Sequence, residues 1–280
     1  MDAILLCMKR SGIRFFNRIK FHYTDIVKFN KKDGFLGLLK SRKECYDNVL
    51  IMAHGSKNAI IVPMQGLTWE KYITESDVDV FINDFVFAVS CYTASEFGQK
   101  CIDAGAISYL GYQVELGSLF SAKRLETAYI PGRVVLAVDT IIKHIFVEEL
   151  SRAYEEFLTT AISVQVLKER FAFLLERRIS ELSELSSVDL FDKYNIRLSD
   201  QNIKKYAVLA VLNALMFLNE VSSHLVCLGN PNYISSTSIT YARRSGKSSA
   251  EILSSILNDT FFQELDHSKY KEFLLETARF

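Results

Sequence analysis

The chain has 280 residues, 49% of them hydrophobic and 24% charged, with Lys+Arg 33 balanced by Asp+Glu 33. That composition supports a buried core in one large domain, alone or with an appendage, and zero net charge supplies no overall field for nucleic acid or an anionic membrane. Cys7, Cys45, Cys91, Cys101 and Cys227 form an odd set with no CxxC pair, which excludes an ordinary disulfide scaffold and fits reduced thiols in a cytoplasmic setting.

Residues 3–8 predict a strand with no basic stretch ahead of it, so no export signal is expected. A basic amphipathic helix over 12–19, a strand over 25–29 and a helix over 35–43 follow, the rhythm of parallel strands joined by crossover helices. Val49-Leu50-Ile51-Met52-Ala53, led by Asn48, is a continuous apolar run, the pattern of a central strand buried on both faces, and it ends on His54-Gly55-Ser56. Residues 59–63 and the segment after Gly66 predict a hairpin, and Ser76-Asp77 a helix start. Phe85-Val86-Phe87-Ala88-Val89 is the next buried strand, ending on Ser90-Cys91. A helix over 94–103, stopped by Gly105, leads to a strand over 106–112.

From residue 134 the period becomes helical, with long helices over 134–159, 164–185 and 202–220. The apolar stretch 206–218 is interrupted by Asn213 and falls short of the roughly 18 residues that suggest a membrane span, so it reads as a buried helix. Residues 225–228 predict a last strand before Gly229-Asn230-Pro231, 235–249 a Ser/Thr-rich loop, and 250–280 an amphipathic helical appendage.

In open parallel sheets ligands collect at the carboxyl ends of the strands, and His54 and Cys91 both fall there. If the two strands are neighbours, imidazole and thiol emerge side by side. A helix starting just after Cys91 would lower its thiol pKa through its amides and dipole. Gly55, without a Cβ, offers its N–H as an oxyanion donor, with the Cys91 N–H as the second. On these residues alone two readings stand, a nucleophile with its base or a small buried thiol of the commoner kind.

Strand-His54-Gly55, then Phe87-Ala88-Val89-Ser90-Cys91-Tyr92-Thr93-Ala94, Ile102-Asp103-Ala104-Gly105-Ala106 and Tyr109-Leu110-Gly111-Tyr112-Gln113 resemble the core of the caspase-like cysteine peptidases, especially the CHAT group. His54 and Cys91 are 37 residues apart, within what that family tolerates. The long helix through residues 146–158 with Ile162-Ser163-Val164, and Leu225 to Pro231 with its Gly229-Asn230-Pro231 end, resemble later parts of the same domain. Ala94 stands where the family has Gly, Ser90 where it often has Ala and Asn230 where it has Asp. The first would tighten the turn after Cys91; the others read as neutral.

The resemblance implies an α/β fold with a mostly parallel sheet sandwiched by helices, a peptidase domain over 1–235 and a linker with helical appendage over 236–280. It implies a cysteine endopeptidase with Cys91 as nucleophile, His54 as acid/base, Gly55, Gln113 and Glu115 at the substrate, and no cofactor or metal. If Glu115 lines the first specificity pocket, a basic residue before the cut is favoured; the alternative is a solvated loop glutamate. Because CHAT proteins of bacteria are often effectors in defence or cell death, it also implies a protein substrate and control by an activating protein partner or by homo-oligomerisation. The competing expectation is a catalytically inactive scaffold of the same fold that binds a protein partner.

Other signals lead elsewhere. Gly246-Lys247-Ser248 ends like a phosphate-binding loop, but Tyr241 stands where its first glycine belongs. His224 and Cys227 have a metal-like spacing with no further ligand nearby. Phe85, Phe87, Phe171, Phe173 and Phe217 fall on apolar strands or helix stripes, which assigns them to the core rather than to stacked bases.

Overall fold

A computed structural model describes residues 3–8, 24–29, 32–41, 46–63, 69–116, 132–193, 218–236 and 238. Among the described residues six strands form the central sheet: β1 (Ala3–Met8), β2 (Thr24–Phe29), β3 (Asn48–Met52), β7 (Phe85–Val89), β8 (Ser108–Tyr112) and β9 (Leu225–Gly229). Their order is β2-β1-β3-β7-β8-β9, with every neighbouring pair parallel except the last. A second sheet is an antiparallel meander of β4 (His54–Ser56), β5 (Ala59–Pro63) and β6 (Trp69–Thr74).

Every residue of β3, β7 and β8 is buried, which is why these strands read as apolar runs rather than alternating ones. Helices cover both faces. Phe85 and Phe87 on one face of β7 meet Phe157 and Tyr154 of α3 (Gly132–Thr159), with centroids 5.0 and 6.3 Å apart. Tyr109, paired with Val86 and so on the other face, meets Phe97 of α2 (Phe97–Asp103) at 6.2 Å. The molecule is thus a mixed α/β fold with a mainly parallel sheet between helices.

α3 packs against α4 (Val164–Ser183) through Phe146 and Phe171, 5.4 Å apart, and a two-pronged Arg170–Glu156 pair with bonds of 2.7 and 3.0 Å. Ser163 caps α4 by accepting from the Val166 N–H. After β9 the chain crosses the amino end of the sheet: Asp47 accepts from the Tyr233 hydroxyl and the Ser236 N–H, and the Asn48 amide donates to Ser235 at 2.7 Å. None of the described helices is long and apolar enough to cross a membrane.

Several boundaries differ from the sequence expectations. α1 (Lys32–Ser41) starts earlier than residue 35, the Ser76-Asp77 start opens a short 3-10 helix, Glu75–Phe81, and α5 (Ser187–Lys193) was not expected. The helix expected from Ala94 begins at Phe97, and β4 forms where the sequence shows only a strand end. Residues 218–223 are helical, whereas the expected helix at 12–19, the rest of that at 202–220, and the Gly246-Lys247-Ser248 loop and appendage lie outside the described residues.

Candidate active site

β3 and β7 run side by side with Met52 opposite Val89, so the chain leaves the sheet at adjacent points after each. Ser90 is buried and its hydroxyl donates to the Ala53 carbonyl at 2.9 Å, fastening the two strand ends together. A neutral replacement for alanine by its sequence, Ser90 thus makes a bond worth about 1 kcal/mol. His54 and Cys91, both half-buried, come directly after this fastening.

Past Ala53 the chain turns out of the parallel sheet into β4, where His54 pairs with Ile61 and Gly55 with Ile60. Gly55 lies against the other strand end: a Cβ at this position would stand 2.4 Å from the Cys91 carbonyl oxygen, 2.6 Å from Thr93 Cγ2 and 3.0 Å from the Cys91 nitrogen. Only glycine permits that approach. The His54 ring meets Trp69 edge-on, with ring centroids 5.1 Å apart.

Cys91 opens a series of tight turns. Tyr92 adopts φ 58, a left-handed conformation that costs a non-glycine residue roughly 1 kcal/mol. It is held there because its N–H donates to Val114 O at 3.0 Å and its carbonyl accepts from Ser95 N at 3.1 Å. Left-handed backbone thus falls on Tyr92, not on Ala94, so the missing family glycine at 94 carries no conformational penalty.

These turns correct one expectation. α2 starts six residues after Cys91, and its first amides are already engaged: Glu96 and Phe97 donate to Lys57 O at 3.2 and 2.7 Å, and Gly98 to Thr93 O at 2.7 Å. A helix dipole fades within its first turn, so α2 does not supply the thiol activation expected from sequence.

The segment after β8 completes the edge. Ala94 N–H donates to Tyr112 O at 3.0 Å and Tyr92 N–H to Val114 O, drawing this segment against the Cys91 turn from the side opposite β3. Gln113 and Glu115 are both exposed there. The ends of three adjacent strands therefore carry His54 with Gly55, Cys91, and Gln113 with Glu115, in that order. Asp103, by contrast, is exposed at the far end of α2, accepting from Gln99 at 2.9 Å. Among the described residues no group of three His, Cys, Asp or Glu is arranged to hold a metal ion.

Cys91 and Cys101 differ in kind. Cys101 is fully buried in α2, and burial pushes its thiol far above the ordinary value, whereas Cys91 is half-buried. Iodoacetamide is expected to label Cys91 at least about tenfold faster than Cys101 in the folded protein, since the thiolate is the reacting species. Equal rates, read by mass spectrometry of the digested protein, would remove the case for an activated Cys91.

No family profile matches the sequence, and no curated protein matches it. Among solved structures the chain is similar to a complex of Porphyromonas gingivalis RgpB pro- and mature domains, with a TM-score of 0.39 and 13% identity. That likeness covers 84% of this chain and 48% of the other, so the chain spans about half the length of the one it resembles.

Three features of this edge were not anticipated from sequence. Ser90 looks like any small strand-end residue, and its bond to Ala53 depends on a strand 37 residues away. Tyr92 has none of the Gly or Asn character that signals a left-handed turn. Trp69 carried the best signal, being the chain's one tryptophan and standing at a strand start outside any apolar stripe.

Proposed function

We propose that the chain is a caspase-like cysteine endopeptidase of the CHAT kind, with Cys91 as nucleophile and His54 as acid/base, in a domain over 1–235 followed by a helical appendage over 236–280. The observation that carries this reading is the close packing of the Gly55 backbone on the Cys91 backbone, which puts the His-Gly strand end and the thiol-bearing turn at one edge. A strained residue directly after the thiol supports it, since such turns cluster at functional sites.

In this reading His54 takes the thiol proton as the Cys91 sulfur attacks the peptide carbonyl carbon. The tetrahedral oxyanion accepts from the N–H groups of Gly55 and Cys91. Gly55↔Ile60 lies next to Ser56↔Ala59, the pair that closes a two-residue turn. Bonded and unbonded pairs alternate along an antiparallel ladder, which directs the Gly55 N–H away from β5. The C–N bond then breaks as the imidazolium gives its proton to the departing amine, leaving a Cys91 thioester. Water attacks the thioester carbon and gives a proton to His54, the C–S bond breaks, and the acid product leaves with thiol and imidazole restored.

Gln113 and Glu115 border the acyl side, where the Glu115 carboxylate favours a basic residue before the cut. The family resemblance adds a regulated role in bacterial defence or cell death, with a protein substrate and control by a protein partner or self-association. Incubation of the full chain with a mixed peptide library, read by mass spectrometry, tests the chemistry. Cleavage that disappears in Cys91→Ala supports it; binding without cleavage replaces it with the inactive scaffold, and turnover of small esters alone with another thiol hydrolase.

A further inference from the structure

Trp69 is 54% exposed, unusual for a large apolar ring, yet one of its neighbours is the His54 imidazole at 5.1 Å between centroids. The small sheet explains the pairing. His54 sits opposite Ile61, Ile61 opposite Lys71, and Trp69 opposite Pro63 two residues on, so His54, Ile61, Lys71 and Trp69 share one face. Its other face is turned to the interior, where Ile60 and Ile73 are fully buried. An exposed indole therefore stands on a strand beside the candidate acid/base.

Position along the site gives this ring a direction. The segment that carries Gln113 and Glu115 bonds to the Cys91 turn through the Tyr112 and Val114 carbonyls, on the β8 flank of β7, while His54, with Trp69 beside it, follows β3 on the other flank. In peptide cleavage the imidazolium gives its proton to the departing amine, so the leaving-group nitrogen must lie against the His54 ring. The residue carrying that nitrogen then runs past whatever flanks the ring on its far side.

Resting on the peptidase reading above, we infer that Trp69 is a specificity-determining residue for the leaving-group side, selecting peptides with an aromatic or large aliphatic residue immediately after the scissile bond. A flat exposed indole offers such a side chain dispersion and offset or edge-to-face ring contact, with little rotamer entropy to lose. Charged or small residues gain nothing from it. The selection is for the bond as a whole: a basic residue on the Glu115 side, an apolar one on the Trp69 side.

The test uses the full chain and a degraded-proteome peptide library, with new amino termini identified by mass spectrometry. Wild type is expected to yield products beginning with Phe, Tyr, Trp, Leu or Met enriched roughly tenfold over background, the scale of discrimination one apolar contact supplies. Trp69→Ala should reduce that enrichment to background while keeping the preference on the acyl side, and Trp69→Phe should retain most of it. Melting curves of both variants should match wild type, because the ring is largely outside the core. Cleavage without apolar enrichment, or enrichment unchanged in Trp69→Ala, overturns this inference and leaves the peptidase reading intact. A uniform loss of rate with unchanged enrichment overturns it as well, assigning Trp69 to holding His54 alone. Absence of any Cys91-dependent cleavage overturns both.

Discussion

Cys91→Ala and His54→Ala are each expected to reduce cleavage at least about 10³-fold while leaving the fold nearly intact, because each removes one half of the proposed nucleophile-base unit. Cys91 is half-buried at a turn, so losing its sulfur costs about 1 kcal/mol or less, well inside a typical margin of about 5 to 15 kcal/mol. His54 stands on the outward face of the small sheet with Trp69, and its truncation leaves β4 paired with β5. Removing both groups should cost about as much as removing one. His54→Ala should also slow alkylation of Cys91, and this matters more now that α2 is too distant to activate the thiol. Full cleavage by Cys91→Ala would end the peptidase reading.

The second large effect is expected at a residue with no side chain. Gly55→Ala puts a Cβ 2.4 Å from the Cys91 carbonyl oxygen, and that neighbour is backbone fixed by the Ser90–Ala53 bond and the turns after it. The two strand ends must separate. Overpacking of this kind costs about 1 to 3 kcal/mol, and a displacement of about 1 Å between reacting groups costs about 10²-fold in rate. Gly55→Ala should therefore show a lowered melting temperature together with a kcat loss of at least about 10²-fold on any peptide that wild type cleaves. Gly55→Ala with wild-type kcat would show that the close approach has no part in catalysis. The comparison with Gly37, in the interior of α1 where an added Cβ meets nothing within 4 Å, provides the control: Gly37→Ala should leave the rate unchanged and raise stability by about 0.5 to 1 kcal/mol, the helix-propensity gain of alanine over glycine.

The central strands were legible from sequence because burial on both faces demands unbroken apolar runs, and β3, β7 and β8 are recognisable by composition before any partner is known. The residues that follow them could be named for the same reason: a polar His54 or Cys91 directly after such a run marks where the chain leaves the core. Helix α2 was legible only in part. Its periodicity begins near Ala94, but the first turn is spent on contacts to Lys57 and Thr93 that no local pattern announces.

Sequence by itself thus determined the alternation of strands and helices, the apolar runs that become the sheet, and the residue types available at their ends. Tertiary structure alone decided that β7 lies between β3 and β8, that His54 leaves the sheet on a separate strand, that Ser90 joins the two strand ends, and that Trp69 stands beside the imidazole. The physical reason is range. Burial and periodicity act on residues within a few positions of one another and leave their imprint locally. Strand order, a hydrogen bond across 37 residues and the contact of two rings on different strands depend on which surfaces meet after the chain has folded, and composition near each residue is the same whichever neighbour it finds.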